Sequence, residues 1–224
     1  VDTTGTNAVA TTVLDPVTTA VPASSSAPTT TGTIPVTTTA ALSLETPKVH
    51  KDWYELSGRS SDYKLAVDQG VVQVQGASTP TTETLGAAKR VLFEDKALAF
   101  GHEAETVAKL LGAVFGQQAV ANKDYAAIGL SMLDNGVSQK DLAELAAKAA
   151  GLQDHHDIVE KLWENLFHHT GSDEELSPYV GMLDQGTSVG DLVLMAANTT
   201  LNTQNIGLVG IQQTGLEFNA QPVI

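Results

Sequence analysis

Histidine is the first candidate for chemistry in this chain, because four of its six histidines come as adjacent pairs, His155-His156 and His168-His169. Clustered imidazoles suggest a transition-metal site. The pairs bracket one expected helix, about 12 residues and hence roughly 18 Å apart, so both cannot close on one ion within a chain. Neighbours along a helix also diverge by about 100°, and the pairs read as structural or solvated side chains. Carboxylates are the second candidate. The segment MLDNGVSQKDL, residues 132–142, returns as MLDQGTSVGDL, residues 182–192, with seven of eleven positions identical. Asp134, Asn135 and Asp141 in the first copy, and Asp184 and Asp191 in the second, could offer oxygens to calcium. A calcium loop of high coordination needs oxygen donors at closely alternating positions, and here they are sparse. The run SDEEL, from Ser172, gathers acids too. It reads as the first turn of a helix, with Ser172 as N-cap and Glu175 three residues on.

Catalytic signatures are missing. No G-x-S-x-G, H-E-x-x-H or G-x-x-x-x-G-K-[ST] is present. The absence of cysteine excludes thiol catalysis, disulfides and cysteine-held metals. The expectation is a protein that is not an enzyme and needs no cofactor, calcium being the weak exception. The net charge is −14, and residues 102–224 carry 16 acids against 5 bases, −11 of that total. Such a surface repels nucleic acid, whose binding depends on Lys and Arg meeting phosphate. No apolar run approaches the roughly 20 residues that span a bilayer, and the sequence as given does not open on a basic stretch followed by an apolar one.

The elements that would position these residues fall in three regions. Residues 102–218 show helical periodicity. Val107, Leu110, Leu111, Val114 and Phe115 share one face, as do Ile158, Leu162, Trp163, Leu166 and Phe167. The doubled segment belongs to a longer repeat. Val107, Leu110, Val114 and Phe115 match Val159, Leu162, Leu166 and Phe167 at an offset of 52, and the later part matches at 50. Each unit is helix, helix, tight turn, helix. With a last helix at about 203–217 the expectation is roughly seven helices. Glycines at 136, 151, 171 and 186 follow periodic stretches, where a left-handed residue ends a helix. Within the doubled segment, Gly136 and Gly186 make that exit and Ser138 and Ser188 cap the next helix. Asp141 and Asp191 stand at the Ser-x-x-acid spacing of a capping box. Each serine cap is worth about 1 kcal/mol.

Residues 49–101 alternate as strands: Tyr63, Leu65 and Val67, a turn at Asp68-Gln69-Gly70, then Val72 and Val74. RVLFEDKALAF supplies a second short pair, giving four strands in a small antiparallel sheet. Residues 1–48 are Thr, Ser, Ala, Val and Pro with almost no charge. Pro16, Pro22, Pro28 and Pro35 favour extended backbone. An arm of this length reaches roughly 150 Å, and Val13, Leu14, Val17, Val21, Ile34 and Val36 are its candidates for pairing with a neighbouring subunit.

The succession KRVLFEDKALAF, a helix ending in Phe, MLDNGVS, a second copy of both, and a closing NIGLVGIQQTGLEF resembles the domain of unknown function 4214, over about residues 62–218. The likeness departs in the second helix, at Ala127 to Leu130 and Tyr179 to Gly181. That family occurs in large exported bacterial proteins, often beside repeat-in-toxin segments, and its function is not established. The resemblance implies export and a place outside the cell or at its surface, and no chemistry. The expected architecture is α+β: an extended arm (1–48), a small antiparallel β region (49–101) and a helical repeat domain (102–224). The expected function is an extracellular structural subunit. It would assemble with copies of itself into a filament or surface layer, its arm adding strands to neighbours. The alternative is an adhesin-like module that binds carbohydrate or a surface protein, with the arm as its stalk.

Overall fold

The computed structural model describes residues 44–45, 52–78 and 81–220. The arm positions Val13, Leu14, Val17, Val21, Ile34 and Val36 lie outside the described residues. The described residues fall in one compact unit, so the β and helical regions share a single body.

The architecture is α+β, a β region followed by helices. Strands β1 (Leu44–Glu45), β2 (Trp53–Leu56), β3 (Tyr63–Asp68), β4 (Val71–Gly76), β5 (Thr82–Gly86), β6 (Arg90–Leu92) and β7 (Ala97–Ala99) precede helix α1 (Gly101–Phe115). β3, β4 and β5 make an antiparallel sheet. Its first hairpin turns at Gln69 and Gly70, both at positive φ, which matches the right-handed twist of the strands it joins. Val72 and Val74 of β4 point into the core with Leu56, Leu85, Val91 and Phe100.

A second sheet has the order β1-β2-β6-β7-β8, where β8 (Leu216–Phe218) comes from the end of the chain. β2 and β6 run parallel and the other pairs antiparallel. The four-strand expectation for residues 49–101 is thus corrected to six, split between two sheets and not all antiparallel. WYEL is too short to show alternation. β6 and β7 pair with each other as expected, but their outer partners, β2 and β8, lie far off in sequence, so no local pattern announces those.

After α1 come α2 (Lys123–Asp134), α3 (Gln139–Ala149), α4 (His155–Phe167), α5 (Asp173–Asp184), α6 (Val189–Ala197), α7 (Thr200–Asn205) and α8 (Leu208–Thr214). The described residues therefore hold eight α-helices, where roughly seven were expected. The single last helix expected at 203–217 is broken twice: Gly207 sits in the left-handed region between α7 and α8, and Gly215 ends α8. GLEF is then extended, with Leu216 and Phe218 buried.

The repeat is α1–α2–α3 followed by α4–α5–α6. Its core is aliphatic, including Ala108, Leu110, Val114, Leu130 and Ala143 from the first unit and Ile158, Leu162, Leu176, Leu183 and Val193 from the second. α3 packs along α6. A Cβ on Gly190 would lie 2.5 Å from the carbonyl oxygen of Lys140. Glycine there lets the two repeat-related helices approach backbone to backbone, and Lys140 closes the junction by donating to Asp191 Oδ2 at 2.6 Å.

Candidate functional site

The doubled segment is a pair of helix junctions. α2 ends with Gly136 at φ +84, its amide donating to Leu133 O (2.9 Å) while that of Val137 donates to Met132 O (3.0 Å). α5 ends the same way through Gly186, Leu183, Thr187 and Met182. These are Schellman closures. Ser138 and Ser188 are the N-caps of α3 and α6, each hydroxyl accepting the amide of Asp141 or Asp191 at 3.1 Å. The reciprocal half of the box differs. Asp141 and Asp191 take the serine hydroxyl, at 2.7 and 2.6 Å, instead of the serine amide. The full box forms at Ser172, whose amide and hydroxyl both reach Glu175 Oε2 at 2.8 Å. Glutamate has the extra methylene needed to reach back.

The acids of the two copies go to different partners. Asp134 accepts both its oxygens' bonds from Arg90 Nη2, at 3.0 Å each. Arg90 is 1 % exposed, its guanidinium 5.7 Å from the Trp53 ring centroid and 5.8 Å from that of Phe218. Burial pulls its pKa down, and Asp134 and Glu103 oppose that. Asp184 instead accepts from His155 Nδ1 at 2.7 Å. Asn135 donates to Ser131 O. Asp134, Asp141, Asp184 and Asp191 thus each have at least one carboxylate oxygen engaged with a protein group.

The histidine pairs are not one site. His156 faces Glu160 at 3.9 Å. His168 is the left-handed C-cap of α4 (φ +62), and His169 Nδ1 bonds to Thr170 O. This corrects the reading of Gly171 as that helix's exit. Its Cβ would instead lie 2.5 Å from Leu176 Cδ2 and 3.1 Å from Trp163 Cδ1, so glycine is required by packing. Among the described residues, one group, His156, Asp157 and Glu160, brings possible metal ligands within 4.8 Å of one another. It lies on the solvated face of α4, where such groups are ordinary.

The feature that sequence reasoning missed is a pair of apolar clefts, one in each repeat, of about 170 Å³ each. Val107, Leu110, Leu111, Phe115, Leu142 and Leu145 line the first. Their counterparts Val159, Leu162, Trp163, Phe167, Leu192 and Met195 line the second. Among the described residues seven large apolar side chains are exposed, and six belong to the clefts: Tyr125, Ile128 and Leu145 in the first, Phe167, Tyr179 and Met195 in the second. A signal was available, since apolar residues recur at the repeat offset beyond the stripe needed for the core.

The clefts differ in what α2 and α5 contribute. Gly129 lies against Val107, whose methyls would meet a Cβ at 3.0 and 3.1 Å, so α2 sits close on α1. The same repeat position in α5 is Tyr179. Pro178, where α2 has Ile128, lies inside α5 and cannot donate to the turn before it. In the second cleft Trp163 stacks on Phe167, ring centroids 4.1 Å apart, with Tyr179 at 6.3 Å. The first cleft has one such pair, Phe115 and Tyr125 at 5.2 Å.

In comparisons with known proteins the chain matches no family model, no curated protein and no solved structure. The resemblance to the domain of unknown function 4214 rests on motifs alone. No helix among the described residues is long and apolar enough to cross a membrane.

Proposed function

We propose that the protein is a non-catalytic binding module whose two clefts hold apolar side chains of a protein partner. The observation that carries this reading is the concentration of exposed apolar side chains in two repeat-related clefts. Exposed apolar surface gathered into a concave patch marks a docking site, whereas scattered residues do not. The linings favour protein over carbohydrate, because a sugar needs several converging polar groups and these walls are aliphatic and aromatic. The export implied by the family resemblance would put that partner at the cell surface or beyond it. A fluorescent peptide alternating leucine and serine tests the reading by anisotropy. It binds the wild type, and Leu145→Asp with Met195→Asp abolishes binding while leaving the melting temperature unchanged. Equal binding by that variant contradicts the proposal.

One observation favours a second reading, the self-assembling subunit of a filament or surface layer. Leu44 and Glu45 pair antiparallel with Leu56 and Glu55 at the edge of the second sheet. The same bonds made to a neighbour's β2 would exchange this strand between copies. Electron microscopy of the full chain and of a form lacking residues 1–48 decides: assembly by the full chain alone supports it, and identical assembly by both removes it.

A further inference from the structure

We propose that the second cleft is a receptor for an arginine side chain, so that the partner is a positively charged protein segment. This rests on the reading of the clefts as docking sites and adds the chemistry of the occupant. Three observations converge on it.

The first is aromatic. The chain has only 11 aromatic residues in Phe, Tyr and Trp together, yet Trp163, Phe167 and Tyr179 all line this one cleft. Their centroids are 4.1 and 6.3 Å from one another through Trp163. Phe167 and Tyr179 are exposed, so ring surface is open to an incoming group. Ring faces carry negative potential and attract cations, tryptophan most of all. A planar guanidinium can also stack on them.

The second is charge. Residues 154–197, which build α4 to α6, carry nine carboxylates against one lysine, a net −8. That lysine, Lys161, is itself paired with Glu164 at 3.4 Å. Residues 101–149, which build the first cleft, carry six carboxylates against four lysines, a net −2. The aromatic-rich cleft therefore lies in the strongly acidic repeat and the aliphatic one in the nearly neutral repeat. Such a field draws cations toward the second cleft and repels anions.

The third is the chain's own use of the same chemistry. Arg90 lies buried near two rings, Trp53 and Phe218, and is paired with a carboxylate. The second cleft offers rings within a repeat of net charge −8, and a guanidinium for it must come from elsewhere. Another copy of this chain, itself at −14, is a poor source.

Isothermal titration at low salt compares four probes on the full chain. They are an alternating leucine–arginine peptide, a leucine–glutamate peptide, a serine–arginine peptide and tetramethylammonium chloride. The leucine–arginine peptide binds most tightly, and Tyr179→Leu narrows the ratio of leucine–arginine to leucine–serine affinity about 2- to 5-fold. Equal binding of the arginine and glutamate peptides overturns the charge assignment and leaves the clefts as docking sites. Failure of every leucine peptide overturns the docking reading itself. Equal binding of the serine–arginine peptide shows surface attraction only, and tetramethylammonium binding as tightly as the peptide shows a small-cation site; either outcome overturns the proposal.

Discussion

Leu145 and Met195 hold the same place in the two repeats, and each leaves 43 % of its surface exposed at the mouth of its cleft. Apolar side chains so exposed contribute little to folding. Replacing either by lysine should therefore change unfolding free energy by less than about 0.5 kcal/mol, as for ordinary surface sites. Urea denaturation checks the stability, and Nile red fluorescence, expected to fall in the double variant, checks the loss of apolar surface.

Arg90 and Asp134 join the second sheet to the end of α2 through a buried ion pair. Breaking such a pair from one side leaves a charge without its partner. Arg90→Ala should cost about 3–5 kcal/mol, while Arg90→Met combined with Asp134→Leu should cost much less. Chemical denaturation of Arg90→Ala, of the single variants Arg90→Met and Asp134→Leu, and of their double variant measures the coupling.

Two glycines separate packing from backbone strain. Gly136 has a left-handed φ and nothing within 4 Å of a modest Cβ, whereas Gly190 has Lys140 O at 2.5 Å. Gly136→Ala should cost about 1–2 kcal/mol for the left-handed conformation. Gly190→Ala must push α3 from α6, costs about 1–3 kcal/mol, and alone weakens the Lys140–Asp191 contact. Thermal denaturation gives the two costs, and the Lys140→Met background shows the coupling only for Gly190→Ala.

Acid stability follows from the caps. The Ser172 amide and hydroxyl hold Glu175 below the usual carboxylate range, and Lys140 and Ser188 do the same for Asp191. A depressed folded pKa means the stabilisation is complete above the unfolded value of about 4 and is lost as pH falls through the lower folded value. Glu175→Gln should therefore flatten the fall of the urea midpoint below about pH 4 and leave its slope between pH 6 and 8, roughly, unchanged.

Local signals carried the helical half of the fold. The apolar stripes of α1 and α4, the exits at Gly136 and Gly186 and the caps Ser138 and Ser188 all depend on contacts within a few residues. Non-local pairing was illegible: β8 returns to β7 across more than a hundred residues, and a three-residue strand has no periodicity to betray it. Gly171 was misread because glycine serves close packing as well as left-handed turns. The clefts were hidden because Phe167, Tyr179 and Met195 are apolar residues on amphipathic helices, and sequence alone does not say when an apolar face exceeds its core.

The central claim is that both clefts are occupied when a partner segment binds, and methionine reports on it residue by residue. The chain has three methionines. Met132 lines the first cleft, Met195 the second, and Met182 neither. In a ¹³C-methyl spectrum titrated with the leucine–arginine peptide, the Met132 and Met195 signals should move and saturate together while Met182 stays in place. Saturation with Met132 and Met195 unmoved, or with all three moving alike, contradicts the account.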